Sequence, residues 1–215
     1  MLSDAPDEGV GDLSWFEHVD KPLVRPPLKA SPSSLTGATA RIVETVPIGR
    51  RIDTGDSDDR SRLGEAIHAC IAAELATPLR PLDVDEVAAI LKRMQAADDV
   101  DPAALHQQLG ALRSWLATRW PDAIPVVELP VARATSEGQH VRGRTDLVLR
   151  TATGWILMDH KSTPQGRDRW GNLATTYAAQ LAAYRDVLQA ASGLPVEEMW
   201  LVLPVAGAAL QVEVG

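Results

Sequence analysis

The chain is poor in cysteine: Cys70 is the only one in 215 residues. That excludes an internal disulfide framework and any self-contained zinc or iron–sulfur site built on cysteines. No apolar run approaches the roughly 18 residues a membrane span needs, and the acidic N-terminus lacks the features of a signal peptide. With neither disulfides nor an export signal, the expected compartment is the reducing cytoplasm. There is no GxxxxGK[ST] phosphate loop, so neither a motor activity nor a bound nucleotide is expected of this chain alone. Aromatic residues are scarce, at 4%, which makes Trp15-Phe16 stand out in a segment that otherwise has the composition of a linker. That pair would suit docking on the body of the protein or on a neighbour.

What is present is ordinary for a globular domain: 45% hydrophobic and 23% charged residues in 23.1 kDa, consistent with one domain and a tail. The net charge of −8 argues against a nucleic-acid partner until its distribution is considered. Residues 125–192 hold 8 bases and 6 acids, whereas the three other stretches, 1–60, 61–124 and 193–215, are all net acidic. The one basic segment is also the one that carries the motifs below, which permits a phosphate-facing surface there.

Residues 1–60 read as tail and linker, since prolines 6, 22, 26, 27 and 32 and the Asp53–Asp59 polar run leave no sustained period. From Ser61 onward, Leu63, Ile67, Ile71 and Leu75 recur at i+4 and predict a helix ending before Thr77-Pro78. Asp83 caps a second helix with a Val87, Ile90, Leu91, Met94 stripe, and Asp101-Pro102 opens a third through Leu116. Three helices are therefore expected before any strand. Pro125–Ala134, His140–Arg150 and Trp155–Lys161 read as a three-stranded meander, with a turn at Ser136-Glu137-Gly138. A fourth helix over 174–191, striped by Tyr177, Leu181, Tyr184 and Leu188, leads to strands over 199–205 and 209–214. The expected fold class is α+β, with a domain spanning 61–215.

The chemistry gathers on the meander. Asp159 and Lys161 lie on one face of a strand and His160 on the other, because side chains alternate. Asp146, on the preceding strand, can pair across to Asp159. A carboxylate emerging from the apolar run Trp155-Ile156-Leu157-Met158 is costly to bury alone, and two close carboxylates repel unless a cation sits between them. Hard divalent cations favour such oxygen ligands. Two acids plus a lysine suit phosphodiester hydrolysis, with the metal polarising the phosphate and acidifying water, and the ammonium orienting that water or offsetting developing charge. A surface Asp–Lys pair on a hairpin is the plain structural alternative.

Gly143-Arg144-Thr145-Asp146, Asp159-His160-Lys161 and Gln180-x3-Tyr184 together resemble the PD-(D/E)xK nuclease superfamily, with its restriction-endonuclease-like core. More narrowly they are similar to the RecB/AddA-type nuclease domain found at the C-terminus of helicase–nucleases. Gly64-x3-His68, Glu128-Leu129-Pro130 and Ser31-Pro32-Ser33 extend the resemblance, in order, over about residues 31–205. It implies that Asp146 and Asp159 ligate Mg²⁺ or Mn²⁺ with His68, and that Lys161 is the catalytic lysine. It also implies that Gln180 and Tyr184 support the lysine or contact DNA, and that Gly64 permits close approach of the first helix to the sheet. The fold so implied is a mixed sheet flanked by helices, and the activity a metal-dependent deoxyribonuclease, an exonuclease acting with a helicase motor on DNA ends in recombinational repair. The flanking cysteines of the iron–sulfur members are absent, so no cluster is expected. The motor is absent from this sequence too, which fits either an excised domain or a stand-alone nuclease with a separate partner.

Several positions carry a second reading. His68 flanks one apolar stripe and Tyr184 fits another, so both would serve as core residues; Glu128 would support a metal ligand, act as a further acid near the metal, or be a plain surface residue. Arg144, with Arg142, shares the Asp146 face. Arg167 and Arg169 follow the lysine and suit phosphates, while Trp170 suits either stacking on a base or anchoring a loop. Two wider alternatives remain at this point: a catalytically inert nuclease-fold module that binds DNA or a protein, and a structural domain in which Asp-x-Lys is coincidence.

Overall fold

The structure, a computed structural model, describes residues 29–31, 35, 37–55, 59–77, 80–134 and 140–215. Helix α1 (Arg60–Ala76) starts where the Asp59 carboxylate accepts the Arg62 N–H. Helix α2 (Val84–Arg93) opens on a reciprocal capping box between Asp83 and Glu86. Helix α3 (Pro102–Arg119) is capped by Asp101, with Pro102 in its first turn, where a missing N–H costs nothing. These three helices bury Leu63, Ile67, Ile71, Leu91, Leu105 and Leu109 against one face of a sheet.

The sheet contains β1 (Lys29–Ala30), β2 (Ala40–Pro47), β3 (Ile124–Ala134), β4 (His140–Arg150), β5 (Trp155–His160), β6 (Val196–Leu203) and β7 (Ala208–Val214). Its order is β1-β4-β5-β6-β7-β2, with β3 also paired to β4. Strands β3, β4 and β5 form the antiparallel meander. Strand β6 then lies parallel to β5, which requires a crossover, and helix α4 (Trp170–Ser192) supplies it. Alternation divides the strands between two cores. Leu147, Ile156, Met158, Trp200 and Val202 face α1–α3, whereas Val148, Leu157, Leu201 and Leu203 face α4. The fold is thus α+β, a mixed central sheet between two helical layers. No helix among the described residues is long and apolar enough to cross a membrane.

The N-terminal part departs from the sequence expectation. Residues 40–47, read as linker, form β2, which pairs antiparallel with β7 from Ala40 opposite Val214 to Pro47 opposite Ala208. Two strands, not none, therefore precede the helices, β1 being a short parallel partner of β4. In sequence the adjacent apolar pair Ile42-Val43 blurs the apolar–polar alternation of β2, although burial alternates along the whole strand, and the register shifts at the same place. Its partner strand lies at the far end of the chain, so no local hairpin signal marks it. The Trp15-Phe16 pair, Pro32-Ser33 and the 136–138 turn lie outside the described residues.

Candidate active site

The site forms where β4 and β5 part. Their last paired residues are Leu147 and Met158; beyond Met158, strand β5 continues against β6 alone, with Asp159 opposite Leu201 and His160 opposite Val202. The His160 N–H thereby loses its strand partner, and Asp146, the residue next to Leu147, replaces it: Oδ2 accepts that N–H at 2.7 Å. The same carboxylate turns Oδ1 toward His68 Nδ1, 3.9 Å away.

Asp159 points to the α4 side, as its alternation with Leu157 requires, and is 1% exposed. Gln180 Nε2 donates to its Oδ1 at 2.9 Å, and Lys161 Nζ lies 2.8 Å from Oδ2. Burial pushes the Asp159 carboxyl up to about 6; Lys161 pulls against that rise, and the neighbouring Asp146 charge adds to it. Burial works against the Lys161 ammonium as well, yet the facing Asp159 carboxylate, Asp146 and Tyr177 together outweigh it and the lysine pKa rises. Tyr184 donates its hydroxyl to the Arg144 carbonyl at 2.8 Å, and its phenol is shifted upward by burial and by the Asp159 charge. Helix α4 therefore fixes one point on each of the two acid-bearing strands.

Helix α1 delivers His68, whose Nε2 is 3.0 Å from the His160 carbonyl oxygen. The His160 ring packs edge-on against the His68 ring at 5.7 Å. It is 2% exposed, and burial lowers its pKa to about 4, so the imidazole is neutral. Among the described residues, one group of His, Cys, Asp and Glu ligand atoms lies within 4.8 Å of one another: His68, Asp146 and His160. This differs from the expected trio: Asp159 stands outside that group, its two oxygens held by Gln180 and Lys161. His160, in contrast, was not among the sequence candidates. The signal that could have found it is the side of the sheet that α1 covers: a residue in phase with Ile156 and Met158 must meet that helix.

The remaining candidates are spread more widely. Glu128 is exposed and pairs with Arg144 at 2.9 Å. Its φ of 50° interrupts the β3–β4 pairing opposite Asp146, since Val127 pairs with Leu147 and Leu129 with Thr145. Arg167 and Arg169 sit exposed in a single 3₁₀ turn after the lysine. Trp170 is a buried anchor, its indole N–H held by the Gln165 carbonyl at 3.0 Å, so the stacking reading does not apply to it. Gly64 faces Ser162, but a Cβ added there would lie 4.0 Å from the Ser162 Cβ, an ordinary contact. The expectation that α1 approaches closely through this glycine is therefore corrected: there is room for a methyl group.

The donor set suits a divalent cation. Both ring nitrogens of His68 face oxygen acceptors, the His160 carbonyl and Asp146 Oδ1. Only the Nε2 contact is of hydrogen-bond length, so Nδ1 and Asp146 Oδ1 face each other without a direct bond. Imidazole nitrogen, carboxylate oxygen and backbone carbonyl oxygen are ligand types that would hold a divalent cation here. A family model described as the PD-(D/E)XK nuclease superfamily matches residues 43–213. No curated protein matches the chain.

Proposed function

The chain belongs to the PD-(D/E)XK nuclease superfamily, and on that premise we propose that it is a divalent-metal-dependent deoxyribonuclease of the RecB/AddA type. In this reading Asp146, Asp159 and His68 hold Mg²⁺ or Mn²⁺, and Lys161 is the catalytic lysine. The observation that carries the proposal is the joint arrival, at the β4–β5 fork, of a helix-borne imidazole, two carboxylates and an ammonium ion. A cation bound there supplies Lewis-acid polarisation of the scissile phosphate and a water acidified toward neutral pH.

The chain's own groups do the rest. Lys161, held 2.8 Å from Asp159, offsets the charge that builds on the phosphate oxygens. Gln180 fixes the orientation of Asp159 through Oδ1, and Asp146 fixes the end of β5 through the His160 amide. Arg144, Arg167 and Arg169 are exposed cations for backbone phosphates. The Gly64–His68 and Gln180–Tyr184 spacings favour the RecB/AddA branch. Its consequence is cytoplasmic processing of DNA ends in recombinational repair, exonucleolytically, with a helicase motor as partner.

The test is incubation of the purified chain with linear single-stranded DNA and Mg²⁺ or Mn²⁺. Cleavage should stop with EDTA and with Asp159→Ala. Cleavage that survives both would overturn the site assignment, and no cleavage with intact metal binding would leave an inert binding module in its place.

A further inference from the structure

Helix α4 presents a third side chain to the site that neither the motif nor the mechanism above uses. Tyr177 lies one turn before Gln180 and Leu181, half-buried on the inner face of α4. The Lys161 Nζ sits 4.1 Å from the centroid of its ring. We propose that Tyr177 is the positioning residue of Lys161, its ring face and the Asp159 carboxylate forming a two-sided seat for the ammonium. The consequence for catalysis rests on the nuclease reading; the seat itself does not.

The lysine stem is the loose part of this seat. Four rotatable bonds give this side chain more rotamer freedom than almost any other, and a point-like ammonium has no planar fork to fix it. Its side chain is 18% exposed, so the ring attracts a cation that is largely desolvated, the condition in which a π-face is most effective. An aromatic face also has a property a second carboxylate lacks: it does not compete with Asp146 and Asp159 for a divalent cation. Asp159 has one oxygen on Gln180 and the other on Lys161. When its charge is shared with a metal, its hold on the ammonium weakens, whereas the attraction of the ring is unchanged. Tyr177, Gln180 and Tyr184 would then act as three successive stops along one helix, for Lys161, Asp159 and the Arg144 backbone in turn.

The ring face, not the hydroxyl, is the working part, and this separates the proposal from a packing role. Tyr177→Phe should keep turnover on linear single-stranded DNA with Mg²⁺ within about twofold of wild type, whereas Tyr177→Leu should lower it roughly tenfold. KM and Mg²⁺ affinity should hold steady in both. In a second readout that needs no DNA, acetylation of Lys161 by an N-hydroxysuccinimide ester, followed by peptide mass spectrometry, should be several-fold faster in Tyr177→Leu than in Tyr177→Phe. Tyr177→Met provides a second non-aromatic side chain should the leucine variant fold poorly. Leucine and methionine variants that match wild type in turnover and labelling would overturn the proposal. So would a phenylalanine variant that falls as far as they do. A wild-type chain that fails to cleave DNA would reject the nuclease reading alone, since the labelling comparison still decides the seat.

Discussion

Removing Arg113 tests how the helices of the layer that carries His68 are held to one another. Glu74, on α1, is 2% exposed. Its Oε1 receives Arg113 Nη1 from α3 at 2.6 Å, and its Oε2 receives the Leu82 N–H from the segment before α2 at 2.8 Å. One carboxylate thus ties all three helices together. Arg113→Met leaves that carboxylate buried with the Leu82 amide as its remaining partner. Breaking a fully buried pair costs about 3–5 kcal/mol. Arg113 keeps 35% of its side chain in water, which screens the pair, so about 2–3 kcal/mol is the reasoned loss. At about 2–4 °C per kcal/mol for a domain of this size, the melting temperature falls by about 4–12 °C. The pair borders a cavity of about 330 Å³ that is also lined by Leu75, Leu116 and Leu149. The double variant Glu74→Gln/Arg113→Met should recover part of the loss, because it removes the unpaired charge while the amide oxygen still accepts the Leu82 N–H. Thermal melts of the wild type, both single variants and the double variant complete the cycle. A melting temperature for Arg113→Met within 2 °C of wild type would refute the reasoning, since it would mean that Glu74 is solvated or repartnered at no cost.

Two residues with left-handed backbone should respond with opposite signs. Gln95, at φ 58° after α2, should gain about 0.5–1 kcal/mol on mutation to Gly. Gly207, at φ 70°, would place an added Cβ 2.7 Å from the Arg50 carbonyl carbon, so Gly207→Ala should lose about 2 kcal/mol or more; chemical denaturation measures both. Burial pushes the Cys70 thiol up to about 12 from 9.0. The folded state therefore keeps a proton that the unfolded chain loses above about pH 9, and stability should fall as pH rises, by about 1.4 kcal/mol per unit. Denaturation of wild type and Cys70→Ala from pH 8 to 11 checks this, the variant showing the shallower slope.

The helices and the meander were legible because their signals are local. Apolar stripes at i+4, Asp caps and the runs of Val, Leu and Ile around short turns each lie within one segment. Strand β2 was not legible, since Ile42-Val43 blurs its alternation and its partner β7 is the last strand of the chain. At the site, the placement of Asp159 and Lys161 on one face follows from alternation alone, and their 2.8 Å contact agrees with it. Two further features belong to the backbone and so leave no trace in residue type. One is the His160 amide capped by Asp146, and the other is the His160 carbonyl facing His68. The engagement of both Asp159 oxygens by Gln180 and Lys161, outside the His68–Asp146–His160 group, likewise depends on how α4 packs on the sheet, and the order of elements alone does not show it.

A divalent cation shared by the ends of β4 and β5 and by helix α1 is the centre of the proposed chemistry. Calorimetric titration of the metal-free chain with Mn²⁺, without DNA, tests it most directly. Wild type should bind, and His68→Ala, Asp146→Asn and Asp159→Asn should each weaken binding by at least about tenfold. Equal Mn²⁺ affinity in wild type and all three variants, or no binding by folded wild type, would contradict it.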